Sequence, residues 1–110
     1  MRYKIAICDD CDVERQYILN MVTLWGERSG HIVHIDTFSF AEQFLFCYAE
    51  EGDYDILLLD IEMGTMDGVT MAKKLRKEND TVQIVFITGY SDYILEGYEV
   101  AALHYLMKPV

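Results

Sequence analysis

Ile56-Leu57-Leu58-Leu59 is a continuous apolar run that ends at Asp60, near the middle of the 110-residue chain. A run this short and this apolar predicts a β-strand covered on both faces, as strands of parallel sheets are. A loop from Glu62 to Met66 follows and leads into a helix predicted from about Asp67 to Glu78. The segment therefore predicts a strand, a loop and a helix, with a carboxylate at the carboxyl end of the strand.

Short apolar runs and longer amphipathic segments alternate in both directions from this unit. Further strands are predicted at residues 3–8, 32–38, 82–87 and 102–106, and further helices at 12–29, 39–50 and 91–100. Asp12 is placed to cap the first helix and Gly30 to end it. The resulting βαβαβαβαβ order predicts one α/β domain over residues 1–110, with a doubly wound parallel sheet.

Composition and charge exclude several classes of function. Nineteen acidic residues against nine lysines and arginines give a formal net charge of −10, which repels a phosphate backbone, so no direct nucleic-acid binding is expected. Three cysteines do not suggest a disulfide framework and favour a reducing compartment. No apolar run approaches the ~18–20 residues that span a bilayer, and the N-terminus does not resemble a signal peptide. We expect a cytoplasmic domain without a membrane segment.

Five polar side chains follow the ends of predicted strands. Asp9 and Asp10 follow the first strand, Asp60 the third, Thr88 the fourth and Lys108 the fifth. Ligands of open parallel sheets bind at this edge, so we expect these side chains to converge. Clustered carboxylates raise one another's pKa unless a cation intervenes, and ligands that are all oxygen favour Mg²⁺. Together with a lysine suited to a phosphoryl oxygen, the set indicates transfer of a phosphoryl group to Asp60.

Four motifs resemble the receiver domain of bacterial two-component response regulators, and the resemblance covers essentially the whole chain. They are Asp9-Asp10, residues 60–68, Phe86-Ile87-Thr88-Gly89 and Tyr105-Leu106-Met107-Lys108-Pro109. A narrower resemblance, to the LytR/AgrA-like subgroup with a LytTR-type DNA-binding output domain, rests on residues 88–93, 97–100 and 103–105. The resemblance implies a flavodoxin-like fold with strand order 2-1-3-4-5.

The resemblance also implies a role for each site residue. Asp60 would be the phospho-acceptor and would receive a phosphoryl group from a sensor histidine kinase, with Mg²⁺ as the cofactor. Asp10 would bind Mg²⁺ directly, Asp9 largely through water, and Glu62 through its backbone carbonyl. Lys108 would hold a phosphoryl oxygen.

Further residues are implied in the switch. A cis peptide bond between Lys108 and Pro109 would aim the lysine. Thr88 would move to hydrogen-bond the phosphoryl group, and Tyr105 would turn inward as Thr88 moves. These movements would be part of a population shift between two states, which would alter a readout surface on the fourth helix and fifth strand. The same surface is a possible homodimer surface. The domain would then control a C-terminal output domain, and it would not be an enzyme apart from slow loss of its own phosphoryl group.

Two features depart from the family pattern. Gly64 stands four residues after the acceptor, where the family usually has proline, and should loosen that loop.

The sequence stops at Val110, just after the fifth strand, so we expect that the final helix of the family has been cut away. Without that helix, Ala102, Leu103 and their neighbours should form an apolar patch beside the first helix. We therefore expect self-association or exchange of elements between copies.

Two other functions remain open. A magnesium-dependent phosphatase with an aspartyl nucleophile would need a second aspartate two residues after Asp60, where this chain has Glu62. A phosphorylation-independent interaction module would keep the fold without the chemistry. Acceptance of a phosphoryl group, and turnover of a generic phosphate ester, separate these hypotheses from the switch.

Two further patterns have structural interpretations. Cys8-Asp9-Asp10-Cys11 has the CxxC form of a redox motif, but carboxylates between the thiols disfavour a reactive thiolate. We interpret Cys8 as a core residue and Cys11 as incidental. The basic residues of the segment 73–77 are interpreted as a solvated helix end.

Overall fold

The computed structural model describes residues 1–64 and 66–108, in which parallel strands alternate with helices. The strands are β1 (Arg2–Cys8), β2 (Ile32–Phe38), β3 (Ile56–Leu59), β4 (Gln83–Thr88) and β5 (His104–Met107). The helices are α1 (Asp12–Ser29), α2 (Ala41–Glu51), α3 (Gly68–Arg76) and α4 (Ile94–Glu99). Each predicted strand is found within two residues of its predicted bounds. Among the described residues, no helix combines the length and the apolar character needed to cross a bilayer.

All strand pairs are parallel, and the strands lie in the order β2-β1-β3-β4-β5. This arrangement confirms the predicted flavodoxin-like fold and its strand order. β1 pairs with β2 on one side and with β3 on the other, so the chain reverses its direction of winding beside β1. Open sheets bind ligands at such a switch point, outside the carboxyl ends of the strands.

Side chains from the two faces of the sheet form two hydrophobic clusters. Because successive residues of a strand point to opposite faces, Ala6 and Cys8 of β1 belong to the larger cluster and Ile7 belongs to the smaller one. Helices α2 and α3 cover the larger cluster, in which the Phe44 side chain is fully buried. Helix α1 covers the smaller cluster through Ile18. Packing on both faces keeps the parallel strands in place, so that their carboxyl ends lie at one edge of the sheet.

The start of α1 differs from the predicted cap. Cys11 is the N-cap residue and makes no side-chain cap, whereas Asp12 is the first helical residue and pairs with Arg15 Nη2 at 2.5 Å. The prediction that Asp12 caps α1 was wrong. Asp9 makes the side-chain hydrogen bond that precedes the helix, because its Oδ1 accepts from the Cys11 N–H at 2.9 Å. Gly30 follows the helix in the left-handed region, with a φ of 72°.

The connection between α4 and β5 turns at Ala101, which makes both elements shorter than predicted. Ala101 has a φ of 54°, a conformation that residues other than glycine rarely adopt. Arg76, the last residue of α3, donates to the Val100 carbonyl oxygen at 2.6 Å and to the Ala101 carbonyl oxygen at 3.3 Å. The basic end of α3 is therefore more than a solvated helix end, because Arg76 holds the turn that leads into β5.

We expect Arg76→Met to lower the free energy of unfolding by about 1–2 kcal/mol, because it leaves carbonyl groups of a strained turn without their donor. Urea unfolding at equilibrium measures the change. Lys77→Met is the matched control, since Lys77 is exposed and its substitution should change stability by less than about 0.5 kcal/mol. Equal losses in the two variants would contradict the role of Arg76.

An apolar groove follows the sheet face that α1 covers. It has a volume of about 340 Å³ and lies between Trp25 of α1 and Val85 of β4, with Leu103 at its border. Leu103 is 56% exposed, as the predicted patch requires. The prediction for Ala102 was wrong: this residue packs against the larger cluster. The two neighbours differ because adjacent residues of an extended chain point to opposite faces of the sheet.

We expect the 110-residue chain to self-associate through this groove, because burying the exposed apolar side chains removes them from water. Light scattering over a range of protein concentrations should show an apparent mass that rises above that of the monomer. Leu103→Lys should shift this rise to concentrations about ten-fold higher, since a charge would have to enter the contact. Phe46→Lys, at an exposed apolar residue of α2, should leave it unchanged. A wild-type chain that stays monomeric at high concentration would contradict the expectation.

Candidate functional site

The carboxyl ends of four strands bring the predicted site residues to one edge of the sheet. Asp9 follows β1 and Asp60 follows β3, and the last residues of these strands, Cys8 and Leu59, are register partners. Thr88 is the last residue of β4 and is the register partner of Met107 in β5. Its carbonyl oxygen accepts a hydrogen bond from the Lys108 N–H at 2.8 Å, which places the lysine at the same edge.

Three carboxylates form a cluster at this edge. Asp9, Asp10 and Asp60 each offer an oxygen atom, and these atoms lie within 4.8 Å of one another. Asp9 is 1% exposed and Asp60 is 7% exposed, whereas Asp10 is open to solvent. Burial and the neighbouring Asp9 carboxylate raise the pKa of Asp60, although the Lys108 ammonium and the Ile61 N–H oppose the rise. Three carboxylates meet the single ammonium of Lys108 here, so the cluster holds a net negative charge.

The chemistry of this donor set fits a hard divalent cation. All three side chains offer carboxylate oxygens, and Mg²⁺ takes a few carboxylates while keeping several waters. The cluster opens through Asp10 into a cavity of about 790 Å³, which leaves room for such waters. A cation placed there would also reduce the repulsion from Asp9, which after burial is the second cause of the raised pKa of Asp60. The residues present are thus compatible with the predicted Mg²⁺.

Lys108 connects the cluster to the end of β5. Its Nζ donates to Asp9 Oδ2 at 2.9 Å and to Asp60 Oδ2 at 3.3 Å, and it forms a third ion pair with Glu14 Oε2. Burial lowers the pKa of Lys108, but the hydrogen bonds that it donates to Glu14 and Asp9 outweigh this effect, so the pKa is raised overall. The lysine is therefore firmly cationic.

The sequence analysis did not predict Glu14 as a residue of the site. It lies in the first turn of α1, and its side chain lines the same cavity as Asp10, Asp60 and Lys108. The first turn of a helix that starts directly after a strand end lies at the ligand-binding edge of the sheet. The position of Glu14, four residues after Asp10, was therefore a signal that could have identified it.

The loop after Asp60 is held by a close approach of backbone to backbone. A Cβ atom at Gly68 would lie 2.1 Å from the Asp60 carbonyl oxygen, so only glycine fits there. The Gly68 N–H donates to the Ile61 carbonyl oxygen at 2.6 Å. Asp67 caps α3, because its Oδ1 accepts from the Thr70 N–H at 2.7 Å. These contacts fold the loop back over Asp60.

The backbone conformation at Gly64 is incompatible with proline. Its φ is 67°, in the left-handed region, whereas the proline ring fixes φ near −65°. A Cβ atom at Gly64 would also lie 3.1 Å from Cδ1 of Phe40. The backbone at this position is therefore one that proline cannot adopt, and whether the loop is looser for it stays a prediction.

Thr88 and Tyr105 are joined through the backbone of Tyr90. The fully buried Thr88 accepts a hydrogen bond at Oγ1 from the Tyr90 N–H, at 3.3 Å. The Tyr105 hydroxyl donates to the carbonyl oxygen of the same residue. The Tyr105 ring is half-buried against Phe86, with ring centroids 5.8 Å apart. Movement of either side chain therefore alters a bond to Tyr90.

The remaining predicted residues lie in or beside the site. The exposed Glu62 lines the cavity, and its predicted use of a backbone carbonyl for Mg²⁺ stays a prediction. The predicted cis bond to Pro109 falls outside the described residues. Burial, with the neighbouring Asp9 carboxylate as a second cause, raises the pKa of Cys8 to about 12. The Cys8 side chain is fully buried, which agrees with its interpretation as a core residue, while Cys11 is exposed.

Comparison with known proteins gives a consistent result. A family model described as the response regulator receiver domain matches residues 5–110. The chain is 31% identical over 106 residues to the positive alginate biosynthesis regulatory protein of Pseudomonas aeruginosa, covering 96% of this chain and 41% of that protein. It is 32% identical over 107 residues to the sensory transduction protein LytR of Streptococcus agalactiae, covering 96% of this chain and 42% of that protein. The chain thus spans less than half the length of these relatives.

One similar solved structure was determined with ligands bound. It is the response regulator protein TrrA of Thermotoga maritima in complex with Mg²⁺–BeF. The two chains are 30% identical and superpose with a TM-score of 0.72, over 96% of this chain and 86% of that one.

We expect Asp60→Asn to raise the free energy of unfolding at pH 7 without Mg²⁺ by about 1 kcal/mol, the usual size of a point-mutant effect. The pKa of Asp60 is raised in the fold, so the ionised carboxylate opposes folding above that pKa, and the opposition fades as the pH falls through it. The gain should accordingly shrink in mildly acidic urea titrations. Asp92→Asn, at an exposed aspartate, is the control. A destabilised Asp60→Asn at pH 7 would contradict this electrostatic interpretation.

Proposed function

The chain belongs to the response regulator receiver domain family, whose model matches residues 5–110, and from this premise we propose that it is a phosphorylation-dependent switch with Asp60 as its acceptor. The predicted likeness to receiver domains and to the LytTR-type subgroup is confirmed by the relatives it matches. As a receiver domain of a two-component system, it is a signalling module and not a metabolic enzyme. The phosphoryl chemistry, the cofactor and the partners are proposals.

The observation that carries the proposal is one ammonium group held among carboxylates at the switch point of the sheet. In the proposed reaction, an Asp60 carboxylate oxygen forms a bond to the phosphorus of a phosphohistidine on the kinase. The phosphorus–nitrogen bond breaks, and the histidine nitrogen keeps the electron pair. Lys108, 3.3 Å from Asp60 Oδ2, is placed to receive a phosphoryl oxygen as the bond forms.

Asp9, Asp10 and Asp60 would hold the proposed Mg²⁺, with the Glu62 carbonyl as a further ligand. When bound, Mg²⁺ supplies positive charge that stabilises the phosphoryl oxygens. The structure of TrrA with Mg²⁺–BeF supports the proposal, since it pairs this metal with a fluoride complex in a 30% identical chain. The same arrangement would allow water to remove the phosphoryl group slowly, so that the signal ends.

The proposed switch operates through the Tyr90 backbone. A phosphoryl oxygen on Asp60 offers the Thr88 hydroxyl a charged acceptor, which is stronger than the neutral bonds it makes otherwise. When Thr88 turns toward it, the Tyr90 N–H loses its acceptor. The Tyr90 carbonyl is the acceptor for the Tyr105 hydroxyl, so the Tyr105 position is biased by the same event. A population shift between two arrangements of this loop would follow.

The proposed readout surface lies on α4 and β5. Leu95 and Tyr98 of α4 are large exposed hydrophobic residues, as is Met107 of β5. We propose that this surface contacts an output domain or a second copy when Tyr105 moves. The proposed output is a LytTR-type DNA-binding domain. The relatives, which include the sensory transduction protein LytR, are more than twice the length of this chain and so have room for such a domain. The proposed phosphoryl donor is a sensor histidine kinase.

We expect acetyl phosphate with Mg²⁺ to add a single phosphoryl group to the wild-type chain and none to Asp60→Ala, because Asp60 is the carboxylate that we propose as the acceptor. Intact-mass spectrometry, with and without chelator, measures the adduct. Asp80→Ala, at an exposed aspartate, is the control and should be modified as the wild type is. No adduct on the wild-type chain would favour a phosphorylation-independent module, and turnover of a generic phosphate ester would favour a phosphatase.

A further inference from the structure

Lys108 has no hydrogen-bond donor to spare. A lysine ammonium carries three donors, and the Lys108 Nζ contacts three carboxylates: Asp9, Asp60 and Glu14. A phosphoryl oxygen that is to be held by Lys108 must therefore displace one of these contacts or share a donor with it. Which carboxylate gives way then affects how readily the acceptor is phosphorylated.

Glu14 differs from the other two partners of Lys108. Asp9 is almost fully buried, and Asp60 is the acceptor itself. The Glu14 side chain is 43% exposed and lines the mouth of the cavity. The three carboxylates whose oxygen atoms lie close enough together to hold a metal ion are Asp9, Asp10 and Asp60. Glu14 does not belong to this group, and its contact in the site is with Lys108.

We propose that Glu14 is a positioning residue that shares the Lys108 ammonium with Asp60 and so restrains phosphorylation of the acceptor. The inference rests on the proposed function, because it requires Asp60 to receive the phosphoryl group. Glu14 occupies one of the three donors and adds a negative charge where an anionic donor must enter. Both effects slow the transfer, and the first acts only through Lys108.

Glu14→Gln tests this role, because it preserves the shape of the side chain and removes its charge. At a Mg²⁺ concentration that saturates each variant, acetyl phosphate should phosphorylate Glu14→Gln about five-fold faster than the wild type, as expected for loss of one partly exposed ion pair. The nitrogen resonance of the Lys108 side chain should also shift before any phosphodonor is added. This second measurement reports the contact itself.

Glu27→Gln is the matched control, since Glu27 is exposed and lies on the same helix. Thirteen residues separate the two positions along α1, which is about 20 Å at 1.5 Å per residue. Glu27→Gln should keep the wild-type rate and the wild-type Lys108 resonance. It removes the same charge from the same helix, so it separates a local contact from the net charge of the domain.

The outcomes distinguish the inference from the function on which it rests. A wild-type chain that takes no phosphoryl group would overturn both. A wild-type chain that is phosphorylated at the rate of Glu14→Gln would overturn the role of Glu14 alone. A faster Glu14→Gln with an unchanged Lys108 resonance would also overturn it, since the charge at the mouth would then act without the lysine.

Discussion

The contact between Lys108 and the carboxylates of Asp9 and Asp60 is the interaction on which the site depends. It joins the end of β5 to the ends of β1 and β3 across 99 and 48 residues of sequence. Three acidic groups at a partly buried edge repel one another, and this single ammonium balances part of their charge. The balance is incomplete, because one ammonium faces three carboxylates. Further positive charge would reduce the remaining repulsion.

The backbone around Asp60 supplies the second constraint. Gly68 allows the loop to return to within contact of the Asp60 carbonyl, and Asp67 begins α3 at the point of return. Gly64, in the same loop, has a positive φ that proline cannot adopt. The path of this loop therefore helps to shape the cavity beside Asp60, which Gly64 and Asp67 line.

Hydrogen bonds through Tyr90 connect the site to the proposed readout surface on α4 and β5. Thr88 and Tyr105 both form hydrogen bonds with the backbone of Tyr90, so the loop after β4 connects the buried end of β4 to β5. Arg76 holds the other end of α4 through the carbonyl groups of Val100 and Ala101. Arg76 thus holds the turn after α4, and the loop before α4 is bonded to Thr88 and Tyr105.

The sequence by itself determined the alternation of elements, the parallel sheet and the set of polar residues at the strand ends, because hydrophobic periodicity and strand ends are local features of a chain. The family motifs added the strand order. The tertiary structure alone decided that Glu14 pairs with Lys108, 94 residues away, that Arg76 holds Ala101, and that Ala102 and Leu103 face opposite sides. Such contacts depend on how distant elements pack, and no periodicity within a single segment records them.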